Sequence, residues 1–175
     1  RYVRLRRKLQ RIMSVLKLNY FEIFDIEISI TMDMSELDEK YLNLQSKFHP
    51  DKFAHASKIE KSMATRISTH INDGYKTLSN LVFRVDYILE INDFSVDENV
   101  TFKNNIFLIE QMNLSETITQ ADESEYSIIK NDIKNKIKHL INEMKKNLLN
   151  KDYDELYQNN SMIKFYKKNI NQLTN

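Results

Sequence analysis

The single proline of this 175-residue chain, Pro50, lies between two segments with strong helical periodicity. Apolar side chains recur every three or four residues over residues 37–48 and again over residues 59–78. Proline lacks a backbone N–H and disfavours helical geometry in the residue before it, so one helix cannot continue through both segments. The pattern predicts two antiparallel helices that form a hairpin, with His49, Pro50 and Asp51 at the turn.

Composition restricts the fold class and the chemistry. Only one glycine accompanies the proline, which leaves little turn chemistry for β-hairpins, so the helical periodicity predicts an all-α protein. Hydrophobic residues make up 41% of the chain, which is enough for buried cores. The absence of cysteine excludes disulfides, thiol nucleophiles and thiolate metal ligands. A net charge of +1 does not favour nucleic acid as a partner, and no apolar run is long enough to predict a membrane span.

Charge and periodicity divide the chain into four regions. Residues 1–18 form a basic N-terminal extension, and residues 19–92 contain the hairpin. Residues 93–100 are polar and acidic, which is typical of a linker, and residues 101–175 predict a three-helix bundle. We interpret the basic extension as an upstream addition without a separate function. A mitochondrial-type transit peptide and an arm that binds a membrane surface or nucleic acid are the alternatives.

The C-terminal region carries two apolar stripes that predict core faces. In its middle helix, apolar residues step by three and four along one side: Tyr126, Ile129, Ile133, Ile137, Leu140, Met144 and Leu148. Its last helix repeats the pattern with Leu156, Ile163, Ile170 and Leu173. Its first helix, residues 102–114, is apolar nearly all round, and a small bundle cannot bury every side of an outer helix. One face of that helix is therefore predicted to be covered by the N-terminal domain or by a partner protein.

Several motifs together resemble the HscB family of iron–sulfur cluster co-chaperones. They are NYFEIF at residues 19–24, FHPDKF at 48–53, INDGYKTL at 71–78, RVDYIL at 84–89 and FLIEQM at 107–112. The resemblance implies a J-domain over residues 19–92 and a second helical domain that most J-domain proteins lack. Eukaryotic relatives often carry a cysteine-rich zinc module before the J-domain, so this chain resembles the bacterial form.

The resemblance implies that the hairpin binds an HscA/DnaK-type chaperone ATPase and stimulates its ATP hydrolysis. Pro50 makes the turn rigid, His49 offers a hydrogen-bond donor and acceptor, and Asp51 supplies a carboxylate that an arginine of the ATPase can grip. Lys40 and Lys47 are seven residues apart and share one face of the preceding helix, although a solvated face is the alternative. The predicted ATPase-binding residues are His49, Pro50, Asp51, Lys40, Asn43, Lys47 and Lys52.

The resemblance also implies that the C-terminal bundle binds an IscU-type iron–sulfur scaffold protein. By alignment with the family, the scaffold-binding residues are Leu108, Ile109, Met112, Glu116 and Phe165. Helical geometry supports Phe165 independently, because it lies about half a turn from the stripe that contains Ile163 and Ile170. The alternative is that Phe165 packs against a neighbouring helix or the J-domain.

Four positions depart from the family pattern. The family usually has a proline where this chain has Leu81, so the break between helices is expected to be softer here. Ser46 stands where relatives often carry a cation, and Asn113 and Gln120 stand where they tend to carry acids. The electrostatic part of both contacts is therefore expected to be weaker.

We therefore predict a co-chaperone that is not an enzyme and that delivers the scaffold to the ATPase during cluster assembly and transfer. No nucleophile, phosphate-binding loop or metal-ligand spacing accompanies His49, so no catalytic residue, metal or cofactor is expected. The bacterial resemblance implies a cytoplasmic location, whereas a transit peptide at residues 1–18 would imply the mitochondrial matrix. Two alternatives stay open: a general J-domain protein that recruits other clients, and a basic module that binds a membrane surface or nucleic acid.

Overall fold

The structure, a computed structural model, describes residues 14–95 and 104–173. Within these ranges the regular elements are helices and no residue is in a β-strand, which confirms the all-α prediction. The predicted basic extension lies mostly outside the described residues, as do residues 96–100 of the predicted linker. The chain divides into two compact units between Arg84 and Val85.

The N-terminal unit contains the predicted helical hairpin. Its elements are α1 (Tyr20–Phe24), α2 (Met34–Phe48), a 3-10 turn (Pro50–Phe53), α3 (Lys58–Ser79) and the start of α4 (Leu81–Ile91). Capping boxes begin two of the helices, with Asn19 and Glu22 at α1 and Ser57 and Glu60 at α3. Each box satisfies backbone N–H groups that a helix start leaves without partners. Helices α1 and α2 both pack on α3 around the buried residues Phe21, Phe24, Leu37, Ile67, Ile71 and Leu78.

The only glycine marks a close approach of α1 to α3. Gly74 lies in the interior of α3, where a Cβ would be 2.9 Å from Tyr20 Cδ1 and 3.0 Å from Phe24 Cε2. Glycine is unfavourable inside a helix by about 1 kcal/mol relative to alanine, so a packing reason is needed for its presence. The reason here is space for the two aromatic rings of α1.

A buried arginine joins three parts of the N-terminal unit. The Arg84 side chain donates from Nε and Nη2 to the carbonyl oxygen of Ile30, at 3.2 and 2.8 Å, and from Nη1 to the carbonyl oxygen of Leu78. Burial lowers the pKa of Arg84 from its usual value. The guanidinium therefore ties the start of α4 to the loop before α2 and to the end of α3.

Replacing Arg84 by lysine is expected to lower the free energy of unfolding by about 1–2 kcal/mol. A lysine ammonium lacks the planar fork that reaches both carbonyl groups, and a buried acceptor without a partner costs about 1–3 kcal/mol. Urea unfolding measures the change. The exposed Arg66 on α3 is the matched control, since Arg66→Lys should change stability by less than about 0.5 kcal/mol. Equal effects of the two substitutions would contradict this role for Arg84.

The C-terminal unit contains a three-helix bundle. Its further helices are α5 (Asn105–Gln120), α6 (Tyr126–Asn150) and α7 (Tyr153–Gln172). The stripes predicted for α6 and α7 do face the core, where Ile133 and Ile163 are completely buried. Helix α5 contributes Phe107 and Ile118 to the same core. Lys151 ends α6 in the left-handed conformation, which turns the chain directly into α7.

Helix α4 is shared between the two units. The division falls after Arg84, so the second half of the helix belongs with the bundle. There, Asp86 accepts hydrogen bonds from Asn160 Nδ2 at 2.8 Å and from Lys164 Nζ at 2.9 Å, both on α7. Residues 93–95 of the predicted linker follow this helix, and the predicted domain limits on either side of the linker stay a prediction.

Candidate functional site

The predicted turn residues form an exposed 3-10 turn at the tip of the hairpin. Helix α2 ends at Phe48, and Pro50 begins the turn with His49 as its N-cap. The His49 Nδ1 accepts a hydrogen bond from the Asp51 backbone N–H at 3.3 Å and lies 3.4 Å from Asp51 Oδ2. The side chains of His49 and Asp51 are 52% and 89% exposed, so both can reach a partner protein.

The three lysines predicted to bind the ATPase, Lys40, Lys47 and Lys52, differ in their surroundings. Lys47 and Lys52 are exposed, and Asn43 lies exposed one turn before Lys47. Lys40, by contrast, is partly buried, because its Nζ pairs with Glu36 at 2.7 Å and donates to the Asp25 carbonyl oxygen at 2.5 Å. Lys40 therefore anchors α2 to the end of α1. Lys47 and Lys52, which lie nearer the turn, are the more accessible charges.

Polar side chains also join α2 to α3 near the turn. The side-chain oxygen of Asn72 on α3 accepts hydrogen bonds from the Tyr41 hydroxyl at 3.0 Å and from Gln45 Nε2 at 2.6 Å, both on α2. Gln45 Oε1 in turn accepts from the hydroxyl of Ser68 at 3.5 Å. Helical periodicity places Tyr41 on the apolar stripe of α2, and nothing in the sequence identifies its partner 31 residues away.

A further polar contact lies on the side of this network away from the turn. The Tyr75 hydroxyl donates to Asp38 Oδ1 at 2.7 Å, and this hydrogen bond is the main cause of the raised pKa of Tyr75. The ring of Tyr75 also stacks on the ring of Tyr41, with 4.3 Å between their centroids. The hairpin is thus held by a series of polar contacts that ends one helical turn before His49.

The second predicted set of residues lies on α5. Ile109 and Met112 are 59% and 72% exposed, Leu108 is partly buried and Glu116 is exposed. The opposite side of α5, with Phe107, carries the contact with the core. The outward face therefore exposes apolar side chains that the bundle itself does not cover.

Phe165 lies on α7 beside the start of α5. Its ring meets the ring of Phe107 edge-on, with 5.8 Å between centroids, yet the side chain remains 38% exposed. Close by, Asn169 Nδ2 donates to Gln111 Oε1 at 2.7 Å and fixes α7 against α5. The structure thus brings Phe165 next to the helix that carries the other predicted residues, and it also shows the packing against a neighbouring helix that was the alternative.

One exposed large apolar residue of α5 is missing from the predicted set. Ile106 is exposed and lies three residues before Ile109, so the two share the outward side of the helix. The signal in the sequence is the apolar character of α5 on all sides. An alignment to family residues alone does not reveal Ile106.

The side chains and helices of residues 14–95 and 104–173 meet the requirements of neither a metal site nor a membrane span. These residues contain no group of three or more histidine, cysteine or acidic side chains that could hold a metal ion. None of the helices in residues 14–95 and 104–173 combines the length and apolar character that crossing a bilayer requires.

Comparisons with known proteins give consistent matches. The family model described as "HSCB C-terminal oligomerisation domain" matches residues 103–174. The HscB co-chaperone homologue of Neisseria meningitidis serogroup A is 33% identical over 161 residues, which cover 89% of this chain and 96% of that protein. The homologue of Colwellia psychrerythraea is 41% identical over 108 residues, which cover 61% of this chain and 62% of that protein.

A solved structure extends the similarity to the fold. The chaperone HscB from Vibrio cholerae has a TM-score of 0.80 and 28% sequence identity, over 90% of this chain and 96% of that one. Sequence similarity to the Neisseria protein and structural similarity to the Vibrio protein both cover about nine tenths of this chain, so they include the hairpin as well as the bundle. The chain therefore belongs to the HscB family of co-chaperones.

Proposed function

We propose that this protein stimulates ATP hydrolysis by an HscA/DnaK-type chaperone and delivers an IscU-type scaffold protein to it during iron–sulfur cluster assembly. Membership of the HscB family supports a co-chaperone role, and the resemblance of the motifs supports the specific partners. The observation that carries the proposal is the exposure of His49 and Asp51 at a proline-fixed turn on a hairpin. Groups with these properties are suited to recognition rather than to chemistry on a substrate.

The ATPase contact is proposed to use the turn and the adjoining exposed cations. A carboxylate that is 89% exposed, as in Asp51, is free to form a bidentate pair with an arginine of the chaperone. Lys47 and Lys52 flank the turn and favour an acidic surface on that partner. Lys40 contributes less charge to this contact in our proposal, because Glu36 already neutralises its ammonium group.

The scaffold contact is proposed to use the outward face of α5 together with Phe165. Exposed apolar side chains in one cluster are typical of protein interaction sites, and aromatic or long apolar anchors supply most of the binding energy there. Ile109, Met112 and Phe165 are exposed and apolar, and Phe165 reaches α5 through the ring of Phe107. Glu116, at the edge of the same face, is polar and is expected to contribute less to the binding energy.

The two proposed contacts share no residue, and we propose that one chain binds both partners. Its role is then to raise the local concentration of the scaffold at the chaperone. The bacterial relatives favour the bacterial cytoplasm as the place where this happens.

Titration calorimetry of the full chain tests the choice of client. The purified IscU-type scaffold should bind, whereas a permanently unfolded protein of unrelated sequence should not. A general J-domain protein would give the opposite preference. Absence of scaffold binding by the wild-type chain would overturn this part of the proposal, whatever the chain does to the ATPase.

A further inference from the structure

The part of the hairpin that leads into the turn combines partly buried apolar side chains with polar contacts. Leu37, near the start of α2, is the only fully buried residue of that helix. It lies twelve residues before His49, which is about 18 Å along a helix at about 1.5 Å per residue. The apolar side chains closer to the turn, such as Leu44 and Phe48, are only partly buried. Directional contacts in this part of α2 can therefore fix its orientation against α3 more closely than apolar packing alone.

The polar network around Asn72 occupies this position. Its last member on α2, Gln45, lies four residues before His49, or about one helical turn. The hydrogen bonds of the network fix the orientation of the Gln45 side-chain amide. Gln45 Oε1 accepts from Ser68, which turns Gln45 Nε2 towards α3, where it needs an acceptor. The Asn72 oxygen is that acceptor, and its second lone pair accepts from the Tyr41 hydroxyl.

We propose that Asn72 is a positioning residue for the His49-Pro50-Asp51 turn, acting through its two hydrogen bonds to Tyr41 and Gln45. Hydrogen bonds are directional, so two of them on one acceptor define both the separation and the rotation of α2 relative to α3. A displacement of Gln45 therefore also displaces His49, which follows four residues later. Recognition groups usually have to be held to within about 0.5 Å, and a displacement of about 1 Å can cost about a hundredfold in activity.

This inference rests on the proposed stimulation of a chaperone ATPase, and the full chain in single-turnover ATP hydrolysis by that chaperone tests it. Asn72→Leu keeps the approximate volume but removes the acceptor. We expect its maximal stimulation to fall at least about fivefold, while the concentration that gives half of the maximum changes less than about threefold, because the exposed groups are still presented but are misaligned. Asn72→Asp keeps an acceptor for both donors and should retain most of the stimulation.

A matched variant separates positioning from general stability. Tyr75→Phe removes the hydrogen bond to Asp38, which lies on the side of the network away from the turn. Its stimulation should stay within about twofold of wild type even where its melting temperature falls as much as that of Asn72→Leu. Tyr41→Phe, which removes one donor and keeps the ring, should give an intermediate loss of stimulation and serves if Asn72→Leu does not fold.

The possible results are distinguishable. If the wild-type chain fails to stimulate, the proposed function is wrong. If the wild-type chain stimulates and folded Asn72→Leu or Tyr41→Phe stimulates equally well, the positioning role is wrong. Losses of stimulation that follow melting temperature across all the variants, including Tyr75→Phe, would also overturn it.

Discussion

Replacing Leu108, Met112 and Phe165 together by alanine is expected to weaken binding of the scaffold protein more than about a hundredfold. Apolar anchors at the centre of an interface commonly cost about 2 kcal/mol or more each when truncated. Even if only half of the summed loss is realised, about 3 kcal/mol remains, which corresponds to roughly a hundredfold in Kd. Titration calorimetry with the IscU-type scaffold measures the change.

Two controls keep this experiment interpretable. Ile128 and Leu149 are exposed on α6, which carries none of the predicted set, and their replacement by alanine should leave scaffold affinity within about twofold. Leu108 is partly buried and Phe165 contacts Phe107, so the triple variant is expected to lose some stability. Met112→Ala alone removes a side chain that is 72% exposed and should weaken binding at least about fivefold without unfolding the bundle. Wild-type affinity in both folded variants would show that this face is not the binding site.

His49→Gln and Asp51→Asn are each expected to abolish stimulation of the chaperone ATPase while the fold is retained. His49→Gln removes the imidazole, and Asp51→Asn removes the carboxylate that can pair with an arginine of the chaperone. Because both positions are exposed at the tip of the hairpin, we expect stability to change by less than about 1 kcal/mol. His55→Gln is the matched control, since His55 is also exposed shortly after the turn. If either substitution at the turn left stimulation intact, that side chain would have no part in the ATPase contact.

The helices and their buried faces could be predicted from the sequence because periodicity reports them directly. Helices α2 and α3 contain the two periodic segments, residues 37–48 and 59–78, and the stripe around Ile133 faces the core. The substitution of proline by Leu81 did not remove the break between α3 and α4, since Asn80 has an extended conformation and its side chain caps the next helix. The break therefore depends on the Asn80 cap, which helical periodicity alone does not predict.

Pairs of polar groups far apart in the chain could not be predicted in this way. Periodicity places Tyr41 on an inward face, but it does not reveal that a hydroxyl group there has Asn72 as its partner. Likewise, seven-residue spacing puts Lys40 and Lys47 on one face, although Lys40 is held by Glu36 and by the Asp25 carbonyl group. Arg84 appears in the sequence only as part of a motif, and its role depends on two carbonyl groups that tertiary structure brings to it.

Single-turnover ATP hydrolysis by the chaperone, measured with and without the scaffold protein, tests whether this protein couples the scaffold to the ATPase. Wild-type chain alone should accelerate hydrolysis, and scaffold should increase the rate further. The Leu108, Met112 and Phe165 triple variant should keep the first effect and lose the second, whereas His49→Gln should lose both. A wild-type chain that leaves the hydrolysis rate unchanged, with scaffold present or absent, would show that the protein is not a co-chaperone of this ATPase.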